Sequence, residues 1–424
     1  MAFSAHDTTI IRQLAATYAN VAANPIHARK ADLWRRLNRL EPVRPLVWIN
    51  EVPWHEIAKA SDELTLRCED PYGRSVESAL RRVLYQWTHF PGDMILDPEL
   101  YVNVVCSPVG VYADYGIAAS EQRTGDSHGS ASFQPVINDL TDVAKLRTPE
   151  VVVDWDETDR RFAIMSAACA GIVPVKIRGI VHQWMSPWDQ MVHWYGIERL
   201  YTDMIDQPDL VHALLRRFME AVHEVLDRQE EMGLLDAGNG NYRVGSGGLG
   251  ITDQLPNRPF GSAPVSPRDQ WGTSTGQIFC DVSPAMHDEF CLQYEQPYLE
   301  RFGLSCYGCC EPLHHKMGIL RKVKNLRRIS ISPWADLTVA AEQLQADYVF
   351  SFKPTPAVFA SDDWNDEPAR RNLQSLFEKA QGCRIEIIMK DISTVRDHPE
   401  RIDQWETLAM QMATHYAEAN GLDG

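Results

Sequence analysis

Several things this chain lacks narrow its function before any motif is read. No apolar run approaches the ~18–20 residues that span a bilayer. The opening MAFSAHDTTIIRQLAATYAN reads as an amphipathic helix with a polar start, not as a signal peptide. Positive charge is scarce: 41 Lys and Arg face 58 Asp and Glu, a formal net charge of −17. Such a surface repels phosphate backbones and anionic lipid, which argues against nucleic-acid and membrane partners. The densest basic run, RKVKNLRR (321–328), reads as one solvated helix face and its cap. Nine cysteines at irregular spacing do not make a disulfide framework, so a reducing cytoplasm is the expected compartment. Short-period repeats, low-complexity tracts and Pro/Ser linkers are absent too.

What is there is an ordinary globular composition, 424 residues with 44% hydrophobic. Residues 1–40 carry helical patterns and no strand signal. From PLVWIN (45–50) onward, strand-like runs alternate with amphipathic helices as far as IEIIM (385–389) and a final helix. Strand candidates fall at 45–50, 101–105, 173–181, 241–245, 304–309, 328–332, 348–352 and 384–389. Eight such units with helical crossovers predict an α/β fold. The expected form is one (β/α)8 TIM-type barrel over 41–424, preceded by an N-terminal helical extension over 1–40. The Gly/Ser/Tyr-rich stretch 110–132 reads as a long excursion or hairpin.

In such barrels the chemistry collects in the loops after the strands. The first strand runs out at Glu51 and Trp54, and the third at His182, Trp184 and Trp188. Later strands end at Cys309, Cys310 and Glu311, then Trp334, then Lys353, then Lys390 and Asp391. The Gly-rich loop GNGNYRVGSGGLG (238–250) leads to Asp253. It lacks the Lys-Ser/Thr of a phosphate loop and no helix follows it, so it reads as a flexible lid or substrate wall. His182, Asp253 and Asp391 are acid–base candidates. Lys353 and Lys390 are candidates to bind a carboxylate or to pair with Asp. Glu51 and Trp54, with Trp184, Trp188 and Trp334, would wall a small substrate, where a methylammonium group would gain cation–π attraction.

The chemistry is densest at SCYGCCEPLHHK (305–316). Thiolate ligands favour zinc and other soft metals, so Cys309, Cys310 and Glu311 form a candidate metal set. Side chains alternate along a strand, so both thiols reach one ion only if the chain turns at 310–312, where Pro312 stands. Two other readings stay open: small buried thiols beside a structural Glu, or a Cys–His pair with His314 or His315 as base. Cys383 opens its strand and so belongs to the opposite end; Asp391 is the better further ligand or base.

Five segments together carry a family resemblance: SPAMHDEFCLQYEQPYLERFGL (283–304), the Cys-rich strand, LRRISISPWADL (326–337), YVFSFKPTPA (348–357) and IEIIMKDISTV (385–395). They resemble the uroporphyrinogen decarboxylase superfamily, which also holds zinc-dependent corrinoid methyltransferases acting on coenzyme M and demethylase-type relatives. The resemblance covers residues 283 to the C-terminus well and about 40–280 loosely. It implies a TIM-type barrel and, for the methyltransferase branch, a zinc that activates a thiol. Two departures mark a divergent branch. The His of the family's His-x-Cys-Gly motif falls on Tyr307 or Gly308, with Cys309-Cys310-Glu311 where Cys-Gly would stand. The Arg-rich segment that grips porphyrinogen carboxylates is replaced by the acidic and aromatic INEVPWHEI (49–57), which argues against uroporphyrinogen as substrate.

The expected function is a zinc-dependent methyltransferase or demethylase. It would move a methyl group between a small O-, N- or S-methyl compound and a corrinoid protein or other acceptor. No His-rich cobalamin-binding segment is evident, so any corrinoid would belong to a separate partner protein. The alternative is a metal-independent decarboxylase or lyase on a small carboxylated or aromatic substrate, with Lys353 or Lys390 as clamp and Asp391 handling the proton. A non-enzymatic subunit that docks a corrinoid protein is the third reading, and a homo-oligomer is compatible with all three.

Overall fold

The computed structural model describes residues 2–123 and 131–424. Eight short strands organise it: β1 (Leu46–Ile49), β2 (Leu100–Asn103), β3 (Val175–Arg178), β4 (Trp271–Ser274), β5 (Leu304–Tyr307), β6 (Leu326–Ile331), β7 (Val349–Phe352) and β8 (Arg384–Met389). Six of them form one all-parallel sheet in the order β1-β8-β7-β6-β5-β4. β2 and β3 form a separate parallel pair. Every residue of β4, β5 and β7 is buried, as strands covered on both faces must be. Helices Leu337–Leu344 and Glu367–Lys379 make the last two crossovers. The chain is thus α/β with a parallel sheet, and no described helix is long and apolar enough to cross a membrane.

Further hydrogen bonds reach beyond the six strands, one of them in a parallel bridge. Asp93 N–H donates to Val47 O at 2.7 Å beside β1. An isolated parallel bridge joins Ile180, just past β3, to Leu235. The Gln270 amide spans the next gap, donating to Ile180 O at 2.5 Å and Asp236 O at 2.7 Å.

Two expectations are corrected. The segment 241–245 is not a strand of the sheet; it makes only an isolated antiparallel bridge, Arg243 to Leu249. Its place is taken by WGTS at β4, too short and Gly-containing to stand out by alternation. The Gly-rich loop is not a lid either, for Gly245 to Gly250 are buried. A Cβ on Gly247 would strike Arg328 and Glu386, and one on Gly248 would strike Trp34. Glycine is required there because the backbone itself fills the space. In the excursion, Ser120–Arg123 pairs antiparallel with Ala131–Gln134, and the residues between lie outside those described.

That loop closes the end of the sheet where the strands begin. Helices α1 (Ala5–Ala22) and α2 (Ile26–Asn38) precede β1. From α2, Trp34 is fully buried, and Asn38 donates to Leu249 O at 3.0 Å and Ile251 O at 2.8 Å. Beneath them Arg328 and Glu386, both fully buried, pair at 3.2 Å. With this end filled, the open ends of the strands lie opposite.

Candidate active site

At those open ends, β1, β5 and β8 run out side by side. Their register places Glu51 after β1 next to Asp391 after β8, with Ile392 N–H donating to Glu51 O at 3.1 Å. Both residues turn through the left-handed region, Glu51 at φ +55° and Asp391 at φ +57°. Non-glycine residues seldom sit there, and such strain gathers at functional sites. Their carboxyl groups hydrogen-bond to each other. Burial pushes Glu51 up, but the bond from Asp391 and the Arg243 guanidinium more than reverse this, and it stays ionised far down in pH. Burial and Glu51 together push Asp391 up, against the opposing charge of Lys390. The shared proton therefore sits on Asp391.

β5 delivers the thiols through a turn at Gly308, which has φ +93°. Ser246 Oγ donates to Gly308 O at 2.7 Å and Ser330 Oγ to Cys309 O at 2.8 Å, fixing that turn. The Cys309 and Cys310 sulfurs lie 3.6 Å apart. Cys310 Sγ is also 3.9 Å from Lys390 Nζ and 3.9 Å from Asp391 Oδ2. The hydrogen bond shared with Cys309, followed by the Lys390 ammonium, draws the Cys310 pKa down despite burial. Cys309 is pushed the other way by the same bond and by burial. Lys390 resists burial through the thiols and Asp391 and remains cationic. The result is a Cys310 sulfur drawn toward its thiolate by the neighbouring thiol and the Lys390 ammonium.

Lys353 lies deeper. It is buried, donates to Ser351 O at 2.8 Å, and is drawn by burial down to about 8, with Glu386 opposing. His182 is half-buried and lowered to about 4 by desolvation, so it is neutral, and its Nε2 accepts from Gly245 N–H at 3.1 Å.

The structure brings Glu51, Cys309, Cys310, Lys390 and Asp391 together, with Lys353 deeper. Other candidates fall elsewhere. Glu311 is not free to bind a metal: its two oxygens accept from Thr275 Oγ1 (2.9 and 3.1 Å), Gly276 N–H (3.1 Å) and Cys309 N–H (2.9 Å). It is the brace of the thiol turn. Asp253 pairs with Arg39 at the filled end, away from the thiols. Trp188 is fully buried, edge-on to Phe279 at 4.6 Å, and belongs to the core. Trp334 is 76% exposed and walls nothing. Trp184 is half-buried against the core, its carbonyl accepting from Val111 N–H at 3.1 Å. Trp54 packs on Tyr85 and Phe90 under Arg82. The hydrogen bonds of Cys310 go to Cys309, Lys390 and Asp391, so neither His314 nor His315 forms a pair with it.

Two groups escaped the sequence reading. Arg243, which anchors Glu51, comes from a loop with no motif. His287, Cys291 and Glu295 place donor atoms within 4.8 Å of one another and could hold a metal ion. Their four-residue spacing on a single helical run was the available signal. Among the described residues no other such trio occurs, so the Cys309–Cys310 pair lacks a third donor at that spacing.

No protein-family description matches the chain, and no curated protein is significantly similar to it. Among solved structures, a methyltransferase from Methanosarcina mazei aligns with 91% of this chain and 98% of that one, with a TM-score of 0.50 and 10% sequence identity. The chain shares its fold with a methyltransferase. At that identity the likeness is one of architecture: a parallel α/β sheet whose open strand ends, in this chain, carry a cysteine pair, a lysine and a carboxyl pair.

Proposed function

We propose that this chain is a methyltransferase or demethylase, a divergent member of the uroporphyrinogen decarboxylase superfamily whose sheet closes into a TIM-type barrel. It would move a methyl group between a small O-, N- or S-methyl compound and an acceptor such as a corrinoid protein. The observation that carries this reading is the Cys310 sulfur, within 3.9 Å of both Lys390 Nζ and Asp391 Oδ2 and drawn toward its thiolate, beside a carboxyl pair in which Asp391 is biased to hold the proton. Demethylation of an ether or amine is helped by two such groups: a soft nucleophilic or metal-binding sulfur, and a proton for the departing heteroatom. The hydrogen bonds that reach past β1 and β3 support closure.

Zinc suits this site. Two thiolates on one tetrahedral zinc stand about 3.8 Å apart, and the two sulfurs are 3.6 Å apart. Cys309 and Cys310 would hold it, with the remaining positions left to substrate or water, since Glu311 is committed to the thiol turn. Bound there, zinc supplies a Lewis acid that keeps a substrate thiol or water deprotonated. The chain's own groups do the rest. Asp391 protonates the leaving oxygen or nitrogen, Glu51 keeps that proton on Asp391, and Arg243 fixes Glu51. Lys390 neutralises the sulfur and draws in an anionic substrate group.

One observation favours a metal-independent decarboxylase or lyase instead. Lys390 already balances Cys310 and Asp391, and Lys353 lies beneath, so two lysines could clamp a carboxylate while Asp391 protonates the product carbanion. Metal analysis and X-ray absorption on untagged protein purified without chelator decide between them. A zinc with two sulfur ligands, lost with methyl-transfer activity in Cys309→Ala and Cys310→Ala, supports methyl transfer. Full activity in metal-free protein sinks it and leaves the lyase.

A further inference from the structure

A second cluster lies behind β5, on the helical run that crosses from β4 to it. That run begins with Pro284–His287, widens into a π-helical turn over Asp288–Leu292, and continues through Gln293–Leu299. In an α-helix a four-residue step overshoots one turn by about 40°. The wider π turn undershoots, and the two errors cancel across this segment. His287, Cys291 and Glu295 are thereby brought onto one line, where an unbroken α-helix would fan them apart. Such wide turns recur at functional positions.

The line faces Tyr307, the last residue of β5. Its hydroxyl donates to Glu295 Oε2 at 2.7 Å, lies 2.7 Å from His287 Nε2 and is 3.7 Å from Cys291 Sγ. All four residues are at most 1% exposed, so no water screens them. The set is also incompletely satisfied: His287 Nδ1 is buried without a hydrogen-bond partner, and besides Tyr307 the Glu295 carboxyl has only Ser274 and Cys291 beside it. Among the described residues no Lys or Arg pairs with Glu295, and the nearby charge it feels is a second carboxylate, Glu311. A buried carboxylate without a cation is costly. A hydrophobic core has no use for this arrangement.

We propose that His287, Cys291, Glu295 and Tyr307 bind a zinc-type divalent ion at a site separate from the Cys309–Cys310 pair. Mixed nitrogen, sulfur and oxygen donors suit zinc. One thiolate and one carboxylate balance its charge, and the imidazole, lowered by burial to about 3, is already neutral. The two 2.7 Å contacts now held by protons would open by about half an ångström around the ion. No open position remains, so the ion is a structural clip. It fastens the helix to β5 two residues before Cys309, and so fixes the base of the thiol turn. A Cβ on Gly276 would meet the Cys291 sulfur at 2.7 Å, so the exit of β4 packs directly on the same clip.

The test is cobalt(II) titration of the metal-free full chain, in the wild type and in a Cys309→Ala/Cys310→Ala double variant. The double variant is expected to keep a thiolate-to-cobalt absorption band that Cys291→Ser abolishes, and zinc in it should have a single sulfur neighbour by X-ray absorption. Tyr307→Phe, which keeps the ring packing, should weaken zinc binding about 10-fold or more. It stands in for Cys291→Ser if that variant does not fold. Absence of the band from the folded double variant, or unchanged zinc affinity in Tyr307→Phe, overturns the proposal. The outcome is independent of zinc at Cys310: loss there leaves the one-sulfur signal untouched, and loss here leaves the two-sulfur signal.

Discussion

Glu51 and Asp391 end neighbouring strands in the same left-handed backbone conformation, and their carboxyl groups share one proton. Neither strand alone would hold that geometry, which costs about 1–3 kcal/mol per residue. The β1–β8 register imposes it. If Asp391 is the acid, activity falls as pH rises through its pKa. Glu51→Gln removes the charge and the hydrogen bond that raise that pKa, so the alkaline limb of the pH profile should move to lower pH. An unmoved limb would exclude Asp391 as the proton donor.

Cys310 should be the most reactive of the thiols. Iodoacetamide at neutral pH is expected to label it before Cys309, as mapped by peptide mass spectrometry. Lys390→Met withdraws the ammonium, raises the Cys310 pKa and slows that labelling. Cys310→Ser should lower turnover by at least about a hundredfold while leaving the thermal midpoint nearly unchanged. Equal labelling of the two cysteines would contradict the lowered Cys310 pKa.

Arg328→Met should cost about 3–5 kcal/mol in urea unfolding, because Glu386 is left charged and buried beneath Gly247 and Gly248. Pairing it with Glu386→Leu should recover much of that loss. Additive losses would mean that the ion pair is not the source.

Glu295 gives a pH signature in metal-free protein. Burial raises its pKa to about 7 in the folded chain, against 4.5 for an ordinary glutamate. Between these values the unfolded chain has released a proton that the folded chain keeps, so this group's contribution to stability falls as pH rises and levels off above about 7. The difference in thermal midpoint between wild type and Glu295→Gln, with chelator present, should therefore shift in the variant's favour from pH 5 to pH 8. A difference that is flat with pH would show that Glu295 titrates normally.

The sequence made the strand exits legible because each late strand ends abruptly on a charged or thiol side chain, and Glu51, Cys310, Lys390 and Asp391 meet accordingly. It misread side chains whose role is set by a distant partner. Nothing local to GSGGLG reveals that Trp34 and the Arg328–Glu386 pair stand against it. Nothing beside Glu311 reveals Thr275 and Gly276. Trp188 and Trp334 follow strand exits alike, yet one is core and the other lies in solvent. His287, Cys291 and Glu295 were readable by spacing, but only the π turn makes that spacing a single line.

The pairing of β1 with β8 has a consequence for how the protein is made. Leu46 binds across to Glu386, near the far end of the chain, so the first strand leaves the ribosome long before its partner exists. Until then it has α1, α2 and the backbone around Asp93 for company. Glu51 therefore acquires its proton-sharing neighbour only when synthesis has passed Asp391. A chain that ends before Lys390 thus carries Cys310 without the ammonium and the carboxyl pair that surround it in the complete fold.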